Sequence, residues 1–488
     1  MQKKYSTLRE TTSQNTGHGD TEVDYSVSNN GLSYRTVQSS KNIFDRIPGR
    51  FCNIHTEQLA IFLTVAITLL GDSSLYVLLP TYVFDLGIPV AAVGVILSLN
   101  RFVRIITNYY AKYLYSYFGR RRLFIYSVIL SAITTLFYGL PVGVVILGFS
   151  RLIWGGCWSA MRLVSFESIA ENSNDNNRGT LTGLFHSIAR IGSLLAIFLG
   201  GILSNYLGYR NTYYIFAFMT FIIGVPLSFY GMSIKRSSGN MQISEQTDER
   251  ATEQTQEQMT EQTPVQTTEQ TTVRETGVSV GNNENTYNHV KSKVNISLKL
   301  TYFMTFLNSW VGNGLLVSTI GYILLLIFGK EVTLFNITIG VSIAASFLVS
   351  VRWFYDIFLS VIFGKLADRF GYFKIIIMNC ILQIISLLII AYTQSFILIF
   401  LAAIVGFGGV TALTSTLDAS AIGYQSLNKD KNILGHFTTW QDLGAAFGSM
   451  AGYSLVIAVG YSRAYMITAL MIVLAIAFAI INRKRNSE

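Results

Sequence analysis

Twelve apolar runs, each long enough to cross a bilayer, constrain this chain more than any other feature. They lie at roughly 58–83, 90–117, 122–140, 143–169, 180–206 and 211–232, and then at roughly 299–328, 335–364, 372–393, 396–423, 432–459 and 462–482. A membrane-spanning helix needs about 20 mostly apolar residues. In lipid, a helix satisfies its backbone polar groups within the segment itself. Composition agrees: 51% of the 488 residues are hydrophobic and 13% are charged, against about 25% charged in an average soluble protein. The sequence therefore predicts an all-α membrane protein of twelve transmembrane helices, with the lipid bilayer as its solvent.

Polar stretches divide the runs into two sets of six. The expected organisation is a disordered cytoplasmic N-tail (1–56), a six-helix half (57–232), a disordered cytoplasmic linker (233–297), a second six-helix half (298–483) and a short C-tail (484–488). The linker repeats the pattern Ser/Thr-Glu-Gln-Thr from Ser244, Thr252, Thr260 and Thr268, every eight residues. Such a tract has almost nothing apolar to bury, so it reads as a tether, with Ser/Thr phosphorylation as its alternative use. The N-tail has no apolar stretch of signal-peptide type, so the first spanning helix is expected to direct insertion.

The net charge of +9 does not point to nucleic acid. The basic residues cluster at helix ends, as in Arg120-Arg121-Arg122 and Arg483-Lys484-Arg485, where bilayer topology accounts for them. The loop between the eighth and ninth runs adds Lys365, Arg369 and Lys374, whereas the opposite loops carry little beyond Asp85, Arg210, Lys330, Glu331 and Arg463. By the excess of Lys and Arg on the inner side, both termini and the linker are expected to be cytoplasmic, in the membrane of a cell or organelle. Three cysteines make no disulfide framework, and no Cys/His cluster has metal spacing, so neither metal nor cofactor is expected. Asn336-Ile-Thr338 has the form of a glycosylation acceptor close to the outer membrane face.

The two halves are copies of one another. Gly119 and Gly371 each follow an even-numbered run, and 371 − 119 = 252. The same ungapped shift pairs Gly156 with Gly408, Gly183 with Gly435, Gly192 with Gly444, Gly200 with Gly452 and Gly208 with Gly460. Aromatic residues follow: Tyr209 with Tyr461, Tyr213 with Tyr465 and Phe185 with Phe437. Small residues at matching depth let helices approach closely in lipid. Parallel six-helix repeats imply a site between them near the midplane, reached from alternate sides as the halves rock.

After the eighth run the chain reads Gly364-Lys-Leu-Ala-Asp368-Arg369-Phe-Gly371. This resembles the loop motif G-x-L-A-D-R-x-G-R-R of the major facilitator superfamily, with Tyr372 and Phe373 in place of its last two basic residues. The N-terminal copy keeps Gly119-Arg120-Arg121 but has Lys112 at the first glycine and Ser116 at the aspartate. The resemblance implies that the motif aspartate locks one conformation through a helix end and a nearby arginine, a role left to Asp368. Gly71-Asp72 with Pro80, Arg151-Leu-Ile-Trp-Gly155 and Gly192-Ser-Leu-Leu-Ala196 with Gly200-Gly201 are similar to the family's first, fourth and fifth helices. The glycine-rich fifth helix is a feature of its antiporters, although Ile197 stands where their proline does. The resemblance covers about 58–232 and 299–482.

Charges inside the membrane are costly, at least about 2.5–3.5 kcal/mol each on insertion scales, so each needs a partner or an aqueous cavity. The candidates for substrate binding or coupling are Asp72, Arg101, Arg104, Arg162, Arg190, Arg352, Asp356, Asp418 and Asp442, with Trp440 and Tyr76 as cavity aromatics. The repeat maps Arg104 onto Asp356 and Arg190 onto Asp442, swapping charge between halves. In the family's fold the second helix lies beside the eleventh and the fifth beside the eighth. Two inter-half ion pairs are therefore expected, Arg104–Asp442 and Arg190–Asp356, against a local Arg352–Asp356 pair at i,i+4 spacing. Arg101 has no obvious acidic partner; it snorkels, favours an anionic substrate or holds a neighbouring carboxylate ionised. Asp72, Glu167 and Asp418 are candidates for proton coupling, with Asp72 foremost because no cation is near it in sequence. Glu167 and Glu171, near the cytoplasmic end of the fourth run, read as interfacial, as do His186 and His436.

The function expected from these features is secondary active transport of a small organic solute by a monomer, coupled to a proton gradient and leaning to export. Uptake of an organic or phosphorylated anion is the alternative within that class, and a non-transporting receptor on a transporter body the alternative outside it. No nucleophile–base set or phosphate loop points to an enzyme.

Overall fold

The computed structural model describes residues 23–28, 31–36, 56–141, 143–173, 178–233, 297–334, 336–428 and 433–485. Residues 1–55 form a unit separate from 56–488. Within the first unit, strands β1 (Val23–Ser28) and β2 (Gly31–Thr36) pair antiparallel, so the expected lack of structure in the tail does not extend to them. The linker repeat and the last three residues lie outside the described residues.

The second unit is the membrane body. Among the described residues, ten continuous helices are long and apolar enough to span. Two of them run 50 and 52 residues. At about 1.5 Å per residue each is more than twice the ~30 Å hydrocarbon core. Each also breaks at a glycine in the left-handed region, Gly119 (φ 72°) and Gly208 (φ 82°). A side chain disfavours that backbone conformation, so glycine marks the turn. Ten helices with two such corners give twelve spans.

They are α1 (Thr56–Thr81), α2 (90–118), α3 (120–139), α4 (Gly143–Glu171), α5 (178–207) and α6 (209–231), then α7 (Leu298–Phe328), α8 (Val341–Phe358 with Ser360–Phe370), α9 (Tyr372–Tyr392), α10 (Phe396–Asn428), α11 (Ile433–Val459) and α12 (Tyr461–Arg485). The eighth span starts later than its apolar run suggests. Before it, β3 (Glu331–Leu334) pairs antiparallel with β4 (Ile337–Gly340) as a hairpin. Asn336, of the possible glycosylation acceptor, lies between the strands with φ 63°. α8 is also interrupted at Leu359, beside an apolar cavity of about 320 Å³ between α8, α9 and α10.

The repeat is visible in the corners. Gly119 and Gly371 have φ 72° and 88°, and Gly208 and Gly460 have 82° and 81°. It is visible in packing too. A β-carbon on Gly192 would sit 2.5 Å from the Ala66 carbonyl of α1, and one on Gly444 would meet the Phe306 carbonyl of α7. These glycines press α5 onto α1 and α11 onto α7. The partners are 240 residues apart (306 − 66), not 252, so the register slips by twelve in the first span or its loop. The β3–β4 hairpin lies in that interval.

The halves meet on the side of the α1–α2 and α7–α8 loops. Gly94 of α2 faces Tyr453 and the Ser449 carbonyl of α11, and Gly201 of α5 faces Ser342 and Ser346 of α8. Gly321 of α7 faces Thr81 of α1. Past the loops, Lys330 Nζ lies 2.7 Å from Asp85 Oδ1. On the other side no hydrogen bond, ion pair or ring contact joins the halves among the described residues beyond the level of Arg104–Asp442 and Arg190–Asp356, and Tyr109, Tyr113 and Tyr117 of α2 are 80%, 68% and 73% exposed. The body is thus closed at the loop end and parted at the end that carries the linker. The Lys330–Asp85 pair is solvent-exposed at both ends, and such pairs contribute little once water and salt screen them. Lys330→Ala is expected to leave the melting temperature of the detergent-solubilised protein unchanged within scatter.

Candidate functional site

Spanning charges gather where the halves part. Arg104 Nη2 of α2 lies 2.7 Å from Asp442 Oδ1 of α11, with both side chains 14% exposed. This bridges the halves along the repeat-related position. Phe102 and Phe447 pack edge-on beside it, ring centroids 5.1 Å apart. Arg162 of α4 lies within electrostatic range of Asp442 and Arg104, and its guanidinium rests 5.5 Å from the Phe166 ring centre.

The second expected bridge takes another form. Arg190 Nη1 donates to the main-chain carbonyl of Asp356 at 3.0 Å, not to its carboxylate. That carboxylate is held within its own half. Arg352 Nη2 donates to one oxygen at 3.3 Å across one helical turn, and Thr411 Oγ1 donates to the other at 2.7 Å. An i,i+4 partner on one helix face is always in reach, so the local pair supplants the inter-half one. Arg190 is left on a carbonyl dipole, within electrostatic range of Asp418 of α10. Asp418 itself makes no hydrogen bond or ion pair among the described residues.

Asp72 is not without a cation. Arg151 of α4 forms an ion pair with it, and Asn100 Nδ2 of α2 donates to the same carboxylate at 2.8 Å. Arg151 is fully buried, with the rings of Tyr76 and Tyr138 at 5.2 and 5.9 Å from its guanidinium carbon. Arg101 does not snorkel: its Nε donates to the Tyr76 hydroxyl at 3.2 Å, and its guanidinium lies 5.4 Å from that ring. Sequence reading used Arg151 only as part of a motif. The 252 shift carries it to Ala403, so the repeat gave no charge partner to flag it.

Trp440 is 40% exposed and sits edge-on to Phe306, centroids 6.0 Å apart. In the loop motif, Gly371 makes the left-handed corner between α8 and α9, Gly364 and Asp368 lie on the last segment of α8, and the Arg369 guanidinium rests 5.6 Å from the Phe370 ring. The Asp368 side chain lies outside the described atoms, and with it the expected lock. In the N-terminal copy Arg120 pairs with Glu171 at the end of α4, while Arg121 follows on exposed helix.

Two six-helix repeats, paired glycine corners and a charged layer between the halves describe a fold that the sequence can be tested against directly. The Major Facilitator Superfamily sequence model matches residues 61–425. The chain belongs to the Major Facilitator Superfamily. It is accordingly an integral, multi-pass membrane protein of a family that moves small solutes. No curated protein matches it significantly. Among solved structures, a POT family transporter in complex with 5-aminolevulinic acid is similar with a TM-score of 0.64 at 10% identity, over 88% of this chain and 96% of its own. A mutant of the nucleoside transporter NupG gives 0.61 at 13% identity, over 88% and 99%. A D-xylose–proton symporter gives 0.60 at 14% identity, over 86% and 96%. At such identities the likeness speaks for the superfamily fold alone.

Proposed function

We propose that this chain is a secondary active transporter that carries a small organic anion by alternating access, driven by a proton gradient, with its termini and linker in the cytoplasm. One observation carries the choice of an anion. The layer where the halves part holds five arginines (Arg101, Arg104, Arg162, Arg190, Arg352) and three carboxylates (Asp356, Asp418, Asp442), an excess of 5 − 3 = 2 positive charges when all are ionised. Arg101, Arg162 and Arg190 make no ion pair to a carboxylate among the described residues; they rest on a tyrosine, a phenylalanine and a carbonyl. Guanidinium groups held without a fixed carboxylate in a low-dielectric cavity favour an anionic ligand. The α5 glycines that lean towards export have packing partners in α1 and α8, so they weigh little on direction.

In this reading Arg104–Asp442 is the latch that parts and re-forms as the halves rock. The purified protein is to be screened by thermal shift against succinate, glycerol 3-phosphate, ethane-1,2-disulfonate and glucose. An anion is expected to raise the melting temperature and glucose not to, and Arg101→Ala is expected to weaken that anion about tenfold or more, the scale of one lost charge-assisted contact. A shift with glucose alone, or an anion bound equally by Arg101→Ala, overturns the anion reading. Exchanging the latch, Arg104→Asp with Asp442→Arg, is expected to restore much of the transport that either single change abolishes.

A further inference from the structure

Asp418 and Arg352 are each unusual among the charges of the layer. Asp418 is the carboxylate of the layer that nothing hydrogen-bonds among the described residues, whereas Asp356 accepts from Arg352 and Thr411 and Asp442 from Arg104. Arg352 is 3% exposed, yet its Nε and Nη1 have no partner among the described residues. A buried donor left unmade costs free energy, so such donors mark a place where a ligand completes the set. Arg190 joins the two. It reaches the Asp356 carbonyl at 3.0 Å while Arg352 reaches the carboxylate of the same residue at 3.3 Å. The two guanidinium groups therefore lie around one residue, from opposite halves. Arg352 also feels the charge of Arg101. Three guanidinium charges against the two carboxylates of Asp356 and Asp418 leave one positive charge in surplus.

We infer that Asp418 and the transported anion share Arg190, so that a proton on Asp418 and the anion bind together and cross together. The inference rests on the anionic reading above and adds the sense of coupling. While Asp418 is ionised it supplies the negative charge that Arg190 faces. Protonation neutralises that carboxylate and leaves Arg190 and Arg352 to a ligand. The charged groups within electrostatic range of Asp418 are Arg190 from α5 and Asp356 from α8, and Asp418 stands seven residues, about two helical turns, beyond Thr411, the α10 residue that binds Asp356, on the same face of α10. Asp356 stays tied to Arg352 and Thr411, and so does not compete for Arg190 through its carboxylate. α7, α9 and α11 place no other charged group against Asp418 among the described residues. Linkage then fixes the sign: if the anion-bound form holds one more proton than the free form, acid tightens binding, and the anion in turn raises proton affinity. Competition for one site would give the reverse, the signature of exchange.

The test uses the whole protein and two probes, succinate and ethane-1,2-disulfonate, whose own charges stay fixed between about pH 6.5 and about pH 8.5. Affinity is read by thermal shift at each pH. Wild type is expected to bind more tightly as pH falls, by up to about tenfold per pH unit for one linked proton. Asp418→Asn, which mimics the protonated side chain, is expected to bind at every pH as tightly as acidic wild type, with a flat profile. Asp418→Glu is expected to keep the pH dependence, which separates loss of the titrating group from damage to the fold. Arg190→Gln is expected to lose binding with both probes. A flat or reversed wild-type profile, or an Asp418→Asn profile that keeps its slope, overturns the shared-arginine coupling while leaving an anion carrier. Absence of binding by every anion, with glucose bound, overturns the anion reading itself, and this inference falls with it.

Discussion

Asp72→Ala is expected to destabilise the folded protein by about 3–5 kcal/mol, the usual cost of stripping one partner from a buried ion pair. The reason lies with what remains. Arg151 is fully buried, and in the intact protein its Nε and Nη2 already have no partner among the described residues. Without Asp72, a complete positive charge would stay among α1, α2 and α4 with only the Tyr76 and Tyr138 rings against it. Ring contacts of that kind supply about 0.5–2 kcal/mol, less than the loss. The detergent-solubilised variant should melt well below wild type and accumulate poorly. Removing both charges should cost far less, because well-packed apolar groups replace buried pairs at little penalty. Asp72→Leu with Arg151→Met is therefore expected to recover most of the melting temperature. If Asp72→Ala melts like wild type, the pair is not holding the N-terminal half together.

The second large effect is expected at Gly201. A side chain there would run into Ser346 and come within 2.9 Å of the Ser342 carbonyl. Both belong to α8, in the other half, at the closed end of the body. The backbone carbonyl cannot rotate aside as a side chain can. Gly201→Leu should keep the six-helix half intact, since the obstruction lies between halves, but it should block closure at the loop end. Transport should fall to background while the protein still folds. A zero-length carbodiimide cross-link, an amide between the Asp85 carboxylate and the Lys330 amine, should form readily in the wild-type protein, where the two groups meet at 2.7 Å, and slowly in Gly201→Leu. Rapid cross-linking in both would show that the gap can be closed around a leucine.

Much of the fold was legible because two signals are one-dimensional. Apolar runs of bilayer length give the spans, and the 252-residue register gives the halves. Gly119 with Gly371 and Gly208 with Gly460 show that the register marks corners as well as composition. The eighth span was misjudged because 335–340 is as apolar as a helix start, and a short β-hairpin strand cannot be told from one by hydropathy. The site was legible where a contact follows the repeat, as Arg104–Asp442 does, or spans one helical turn, as Arg352–Asp356 does. Arg190 does not reach the Asp356 carboxylate, because a partner four residues away on the same helix and Thr411 from α10 take it. Nothing in the register could place Arg151 beside Asp72, since that contact lies within one half and its counterpart position holds alanine. Propinquity along the chain misled in the same way at Asp72, whose cation comes from 79 residues away.

The twelve-residue slip has a thermodynamic meaning. A carrier made of two identical halves would still prefer one face only through differences between its ends. Here the added stretch places a hairpin on the closed side, and Lys330 at its edge reaches Asp85 of the other half. That contact joins the halves at the closed end. However small it is, it enters the ratio of the resting populations directly, and being exposed it weakens with ionic strength. In the reading of this chain as an alternating-access carrier, the contact favours the state that opens towards the linker, and salt on the loop side weakens that preference.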